Sequence, residues 1–219
     1  MESLAGVAVF TLLLVAVGGY LLGSIPFGLI ATRLGGAGDI RQVGSGNIGA
    51  TNVLRTGRRD LAAITLLGDA LKGALAVELA GLLTHGTAAA MALAGGAAFF
   101  GHLFPVWLKF RGGKGVATFY GVLLFIAWPV GALAALTWLA MAALFRISSL
   151  AALTAAALAP LFAFATDGLG APNHEKYPII VLTLFMAVLI YIRHHQNIGR
   201  LLKGQEPRIG GKKDAPPAA

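Results

Sequence analysis

The chain contains no cysteine and few charges: Asp, Glu, Lys and Arg make up only 12% of its 219 residues. Without cysteine there can be no disulfide, no thiolate metal site and no thioester intermediate. So few charges could not cover the surface of an ordinary soluble domain. Also missing is a basic stretch before the first apolar run, or a clear cleavage site after it, so that run reads as a retained helix rather than a leader. What is abundant is apolar, with 57% hydrophobic residues and a mean hydropathy of +0.79. The long apolar runs identify an all-α, polytopic membrane protein. The formal net charge is +8, but the basic residues lie between apolar segments. That placement fits membrane topology and not a nucleic-acid surface.

A helix needs about 20 residues to cross roughly 30 Å of hydrocarbon. Residues 4–34, 61–83, 88–108, 150–166 and 178–192 qualify, the last slightly short, and Gly23 to Pro26 should bend the inner end of the first. Residues 116–145 are too long for one span and too short for two full ones. Arg111 and Lys114 precede them and Arg146 follows, and the positive-inside rule wants both ends cytoplasmic. Two short crossings are therefore expected, with a turn near Trp128-Pro129. The predicted architecture is seven transmembrane helices, two of them short, with the N-terminus outside and the C-terminus cytoplasmic. Residues 1–204 would form one membrane domain, followed by a disordered tail over 205–219, which is rich in Pro, Gly, Lys and Ala. Arg33, Arg41, Arg55, Arg58, Arg59, Lys109, Arg111, Lys114 and Arg146 would share the cytoplasmic face, with little more than Lys176 outside, beside Asp167 and Glu175. Short helices would indent that face, since about 15 residues reach only ~22 Å. A lipid-like substrate could meet a water-soluble one there.

Three glycine-rich, basic segments interrupt the apolar chain on this one side. The first contains Gly44-Ser45-Gly46-Asn47-Ile48-Gly49-Ala50-Thr51-Asn52, with Arg55 close behind. Its glycines formally match G-x-G-x-x-G, but a dinucleotide fold needs a preceding buried strand and a soluble βαβ unit. A membrane loop offers neither. Two readings remain open: a nest of glycine amides, helped by Ser45 and Thr51, that binds an anion, or a turn followed by topogenic arginines. The second segment is Lys109-Phe110-Arg111-Gly112-Gly113-Lys114-Gly115. It is no P-loop, because glycine rather than Ser or Thr follows Lys114. Still, a lysine and free amides just before a helix N-terminus make an anion site; the plainer alternative is a flexible basic loop.

The third segment opens at Arg193-His194-His195 and runs through Asn197 to Arg200. The five histidines are scattered and unaccompanied by a carboxylate pair, so no metal site is expected. His85 and His174 look like outer turn residues, and His102 a structural one. His194 is best placed, at the inner end of the last helix and three residues before Asn197, a spacing that puts both on one helical face. Asp69 and Lys72, spaced i,i+3 inside an apolar helix, should pair; Glu78 has no obvious partner.

Taken together, the chain resembles the bacterial acyl-phosphate:glycerol-3-phosphate acyltransferases, membrane enzymes of phospholipid synthesis. The matching stretches are Gly23-Ser24-Ile25-Pro26-Phe27-Gly28, Val43 through Arg55, Asp69-Ala70-Leu71-Lys72-Gly73, Gly101-His102-Leu103-Phe104-Pro105, Phe110 through Thr118, and His194 through Glu206. The resemblance implies a seven-helix fold and transfer of an acyl group from acyl phosphate to glycerol 3-phosphate, giving lysophosphatidate. It implies a site at Ser45, Arg55, Lys114, Ser149, His194 and Asn197, of which Ser149 comes from the resemblance alone. Ser45, His194 and Asn197 are the expected catalytic residues. Phosphate binding is expected at Arg55, Lys114 and Ser149, with Gly44, Gly46, Asn47, Thr51, Asn52, Gly112, Gly113 and Gly115. No cofactor, metal, nucleic acid or obligate protein partner is implied, and the location would be the bacterial inner membrane with the site facing the cytoplasm. The proton acceptor is either His194 or the substrate phosphate. The histidine and aspartate, four residues apart, of another acyltransferase class are missing. The alternative function is a transporter of a phosphorylated metabolite, although the polar clusters lie at one face and no internal repeat is visible.

Overall fold

A computed structural model describes residues 8–210, and all regular structure among them is helical. The first apolar run is broken where expected. α1 (Val9–Gly23) stops before Ser24-Ile25-Pro26, and α2 (Phe27–Leu34) continues beyond. Pro26 has no N–H to give and drives Ile25 out of the helical region. Residues 4–7 of the expected span lie outside the described residues. A single turn, α3 (Ala50–Val53), sits in the following polar loop. α4 (Arg59–Leu83) and α5 (Ala88–Leu103) come next. α5 ends five residues before the expected Leu108 because Pro105 disfavours helix at Phe104, which turns to φ −131°. A 3₁₀ turn then covers Val106–Leu108.

Residues 116–145 do form two helices with a break near Trp128-Pro129, but the division is uneven. α6 (Val116–Ile126) has 11 residues and α7 (Trp128–Phe145) has 18. The expectation of two short helices is thereby corrected to one. Pro129 sets the break, because proline is tolerated only in a first turn, where no N–H is needed. α8 (Ser148–Ala165) and α9 (Lys176–Arg193) are each 18 residues long. α9 is longer than expected for the same reason: Pro178 occupies its first turn, so the helix starts before it. α10 (His195–Leu202) closes the series. Five of the helical segments are long and apolar enough to cross a membrane. α4, although 25 residues long, carries Asp69, Lys72 and Glu78.

The bundle has two chemically different ends. At one, the chain makes tight turns: Asn173 donates to the Gly86 carbonyl, and Gly170 packs against Trp128 and Pro129. At the other, the three polar segments meet. Close helix packing is made by small residues. Gly19 and Gly23 of α1 lie directly on Ala94 and Ala98 of α5, and Gly121 of α6 lies on Ala70 of α4. An apolar cleft of about 740 Å³ runs between α1, α5 and α9, bordered by Tyr20, Leu93, Phe100, Leu182 and Phe185.

The i,i+3 pair in α4 forms as expected and is almost completely buried. Lys72 Nζ lies 2.8 Å from Asp69 Oδ1 and also donates to the Ile25 carbonyl at 2.8 Å, in the gap between α1 and α2. Thr118 of α6 donates to the Asp69 carbonyl, and His102 Nδ1 of α5 lies 3.5 Å from Asp69 Oδ1.

A Cβ on Gly121 would sit 1.9 Å from the Ala70 carbonyl oxygen, so α4 and α6 would have to part. Gly121→Ala is expected to lose about 1–3 kcal/mol through overpacking, read as a lower unfolding midpoint in detergent. An unchanged midpoint would mean that this contact is not tight in the membrane protein.

Candidate active site

Asn52 organises the first polar loop. It is 2% exposed, and its Nδ2 donates toward the carbonyls of Val43 and Asn47 at 2.8 Å and Ile40 at 3.1 Å. Its Oδ1 accepts from Ser45 N at 3.1 Å and Ser45 Oγ at 3.3 Å. Every polar atom of this side chain is occupied within the loop. Asn47 closes a local turn by accepting from Gly49 N. Gly44 has φ +56°, and a Cβ there would lie 2.6 Å from Asn52 Oδ1 and 2.8 Å from Arg55 Cδ. Glycine is therefore required for the loop to close over Arg55. Ser45, Gly46 and Thr51 stay exposed on its surface.

The second loop is built differently from the expected amide cradle. Gly112 N donates to the Leu103 carbonyl and Gly113 N to the His102 carbonyl, each at 3.1 Å. These two amides are satisfied by the end of α5, so the glycines shape the loop instead of presenting donors. Neither could carry a side chain, since a Cβ would meet His102 O at 2.1 Å or His102 Nε2 at 2.3 Å. The open donors come later. Gly115, at φ +82°, leads into α6 with no side-chain cap, which leaves the first-turn amides of that helix unpaired. Lys114 stands at this positive end.

The third segment meets Lys114 from across the bundle. His194 is the junction between α9 and α10, so it does not share one continuous helix with Asn197 as the spacing predicted. Both are nonetheless buried. Lys114 Nζ donates to Asn197 Oδ1 at 2.5 Å. Asn197 Nδ2 donates in turn to Glu206, which also accepts from Ser149 Oγ at 2.7 Å and Arg200 Nε at 2.6 Å. Residues 205–210 are thus held against α8 and α10 and are not a loose tail, while 211–219 lie outside the described residues. Composition could not show this, because one carboxylate makes the difference. Glu206 was missing from the expected site, yet it is the single acidic residue between Lys176 and Lys213. A lone carboxylate within so basic a stretch was the available signal.

The charge states follow from these surroundings. Burial lowers Lys114 to about 8; Glu206 opposes the shift, and Arg200, Arg55 and Arg193 add to it. The lysine stays mostly charged at neutral pH. Burial lowers His194 to about 4, against the bond to Ile190, with Lys114 adding to the shift. His194 Nδ1 lies 2.8 Å from the Ile190 carbonyl, which can only accept. The neutral ring therefore carries its proton on Nδ1 and offers Nε2 as an acceptor. Burial alone would raise Glu206, but hydrogen bonds from Ser149, Asn197 and Arg200 outweigh it and keep the carboxyl below its usual range.

A cationic lysine at a helix start, a neutral histidine and an arginine-bearing loop, gathered at one end of an apolar bundle, define a multi-pass membrane protein that handles anionic groups. The family model described as glycerol-3-phosphate acyltransferase matches residues 13–204, and the chain belongs to that family. A relative from Caulobacter vibrioides (strain NA1000 / CB15N), a glycerol-3-phosphate acyltransferase, is 72% identical across 100% of this chain and 98% of its own. One from Maricaulis maris (strain MCS10) with the same name is 58% identical, covering 90% of this chain and 87% of its own. The crystal structure of PlsY (YgiH), an integral membrane glycerol 3-phosphate acyltransferase, in its glycerol 3-phosphate form, is 37% identical. It superposes with a TM-score of 0.82 over 91% of this chain and 96% of that one.

Glu206→Gln removes the charge that Ser149, Asn197 and Arg200 share. Hydrogen bonds to charged groups contribute about 1.5–3 kcal/mol each, so a fall of several degrees in the detergent unfolding midpoint is expected. A midpoint equal to that of the unsubstituted protein would rule out the carboxylate as the anchor of residues 205–210.

Proposed function

We infer that this chain transfers a fatty acyl group from acyl phosphate to the C1 hydroxyl of glycerol 3-phosphate. The products are 1-acyl-glycerol 3-phosphate (lysophosphatidate) and inorganic phosphate, in phospholipid synthesis. The observation that carries the reading is the meeting of Lys114 with Asn197, beside neutral His194 and within the field of Arg55. The family to which the chain belongs supports it.

Acyl phosphate is an activated mixed anhydride, so no covalent enzyme intermediate is required. The hydroxyl oxygen attacks the carbonyl carbon, the single bond from that carbon to the bridging phosphate oxygen breaks, and phosphate departs with that electron pair. Lys114, Arg55 and the α6 amides neutralise the phosphates and the charge that grows on the leaving group. Asn197 aims Lys114, while Ser149 and Glu206 fix Asn197. Ser45, presented by the Asn52-ordered loop, supplies a hydroxyl at the loop surface. Gly46 and Thr51 stay available beside it, whereas Asn47, Asn52, Gly112 and Gly113 act by shaping backbone. His194 accepts the hydroxyl hydrogen bond through Nε2 and orients the nucleophile. Held near 4, its ring is a weak base at neutral pH. The departing phosphate, whose own oxygens titrate at about 6 in a monoester, then receives the proton.

The proposed setting is the bacterial inner membrane, with seven crossings, the N-terminus outside and the site cytoplasmic. α1 with α2, then α4, α5, α6, α7, α8 and α9, run between the two ends of the bundle. The basic residues crowd the site end, as the positive-inside rule requires of a cytoplasmic face. Because the chain lacks cysteine, single-cysteine variants report this cleanly. On intact cells an impermeant thiol reagent should label Asn173→Cys and spare Lys203→Cys; the reverse pattern would overturn the orientation.

Purified protein in detergent should convert labelled glycerol 3-phosphate to lysophosphatidate with palmitoyl phosphate, and not with palmitoyl-CoA. Absence of product from folded protein would sink the acyltransferase reading and favour the transporter. The pH profile carries the finer prediction. His194 should contribute no inflection near 6.5, and turnover should decline as pH rises through about 8, where Lys114 loses its proton. His194→Gln should slow turnover while leaving the acid side unchanged; loss of an acid limb would instead make His194 the base.

A further inference from the structure

We propose that Arg193 is a positioning residue that locks the Lys114 loop to the end of α9 and so fixes Lys114 relative to His194. The inference rests on the acyltransferase reading for its kinetic consequences. Its structural content stands on geometry. Arg193 is the last residue of α9 and directly precedes His194. Its Nη2 donates to the Gly112 carbonyl at 2.7 Å and its Nε to the Gly113 carbonyl at 3.1 Å. Its guanidinium also lies 5.6 Å from the centre of the Phe104 ring.

Gly112 and Gly113 are therefore held on both sides. Their N–H groups bond to α5 and their carbonyls to α9, through one planar side chain. Lys114 is the next residue in the chain, and its ammonium closes back onto Asn197 of α10. The circuit Arg193–Gly113–Lys114–Asn197 starts and ends on neighbouring helices. Only a fork of donors can span two successive carbonyls; a lysine has one point of charge and no plane. Arg193 also makes no salt bridge among the described residues. Bonded to neutral carbonyls, it keeps an uncompensated positive charge beside the site, where an arriving phosphate is anionic. Lys114 is faced by Glu206 as the opposing charge and by Arg200, Arg55, Arg193 and neutral His194 as the other groups.

The test compares wild type, Arg193→Lys, Arg193→Gln and Arg193→Met in detergent by hydrogen exchange and by acyl transfer across pH. Exchange in the segment spanning residues 104–116 should quicken at least tenfold in the Met and Gln variants, and less in the Lys variant. The kcat/KM for glycerol 3-phosphate should fall at least tenfold in Met and Gln and recover partly in Lys. The alkaline limb should move upward in the Met and Gln variants, because a neighbouring cation no longer disfavours protonated Lys114. A merely structural role would leave that limb in place. Unchanged exchange, or kinetics within twofold of wild type with an unmoved limb, overturns the proposal. Should Arg193→Met fail to fold, the Gln and Lys variants decide by the same measures. A wild type without turnover would defeat the acyltransferase reading instead, and the exchange data would still judge the positioning role.

Discussion

The ion pair between Asp69 and Lys72 is the contact on which the arrangement of helices turns. Charges inside an apolar bundle are expensive unless paired and hydrogen-bonded, and this pair gathers neighbours around it, although among the described residues Asp69 Oδ1 has no hydrogen bond beyond the contact with Lys72. Lys72 takes the Ile25 carbonyl, which the break between α1 and α2 leaves without a helical partner. The Asp69 carbonyl takes the hydroxyl of Thr118 from the first turn of α6. His102, at the end of α5, completes the surroundings. The pair thus touches the element leading into the Ser45 loop and both elements that flank the Lys114 loop. Two loops distant in sequence are held in register by one buried charge pair, which the His102 ring separates from Gly113 of the Lys114 loop.

Most of the helical plan could be read from the chain, since long apolar runs and positive loops are signals of composition. The break at Gly23 to Pro26, the 61–83 helix and the split within 116–145 were all legible. What was not legible was how Pro105 and Pro178 set the bounds of α5 and α9. Pro129 and Pro178 lie inside first turns and begin helices, while Pro105 ends one. Apolar runs average over such positions, so they misplace the end of α5 and the start of α9.

The site was legible as a set of residue types and far less so as a set of roles. Lys114, His194 and Asn197 converge as their loops suggested, and Ser149, marked only by family likeness, joins them through Glu206. Asn52 has the chemistry of a phosphate ligand, but all its polar atoms are spent on the Ser45 loop. Gly112 and Gly113 likewise have amides suited to an anion, already bonded to α5. A sequence shows which groups can donate and not which are already engaged. Glu206 is illegible for the complementary reason: an acidic residue gains its meaning from three partners that lie 6, 9 and 57 residues away, visible only once the chain folds back.

The brevity of α6 has a consequence for how this protein meets its donor. With 11 residues it rises about 16 Å, against about 27 Å for the 18 of α7. α6 ends and α7 begins at the same turn near Ala127, so Lys114 lies recessed relative to the far end of α7. A fatty chain is held in a bilayer by about 0.8 kcal/mol for each buried CH₂. On the proposed reaction, a donor anchored this way would reach the lysine from the side without leaving the lipid. Its supply is then a crowding in two dimensions, set by its share of the surrounding lipids rather than by its amount in the surrounding water.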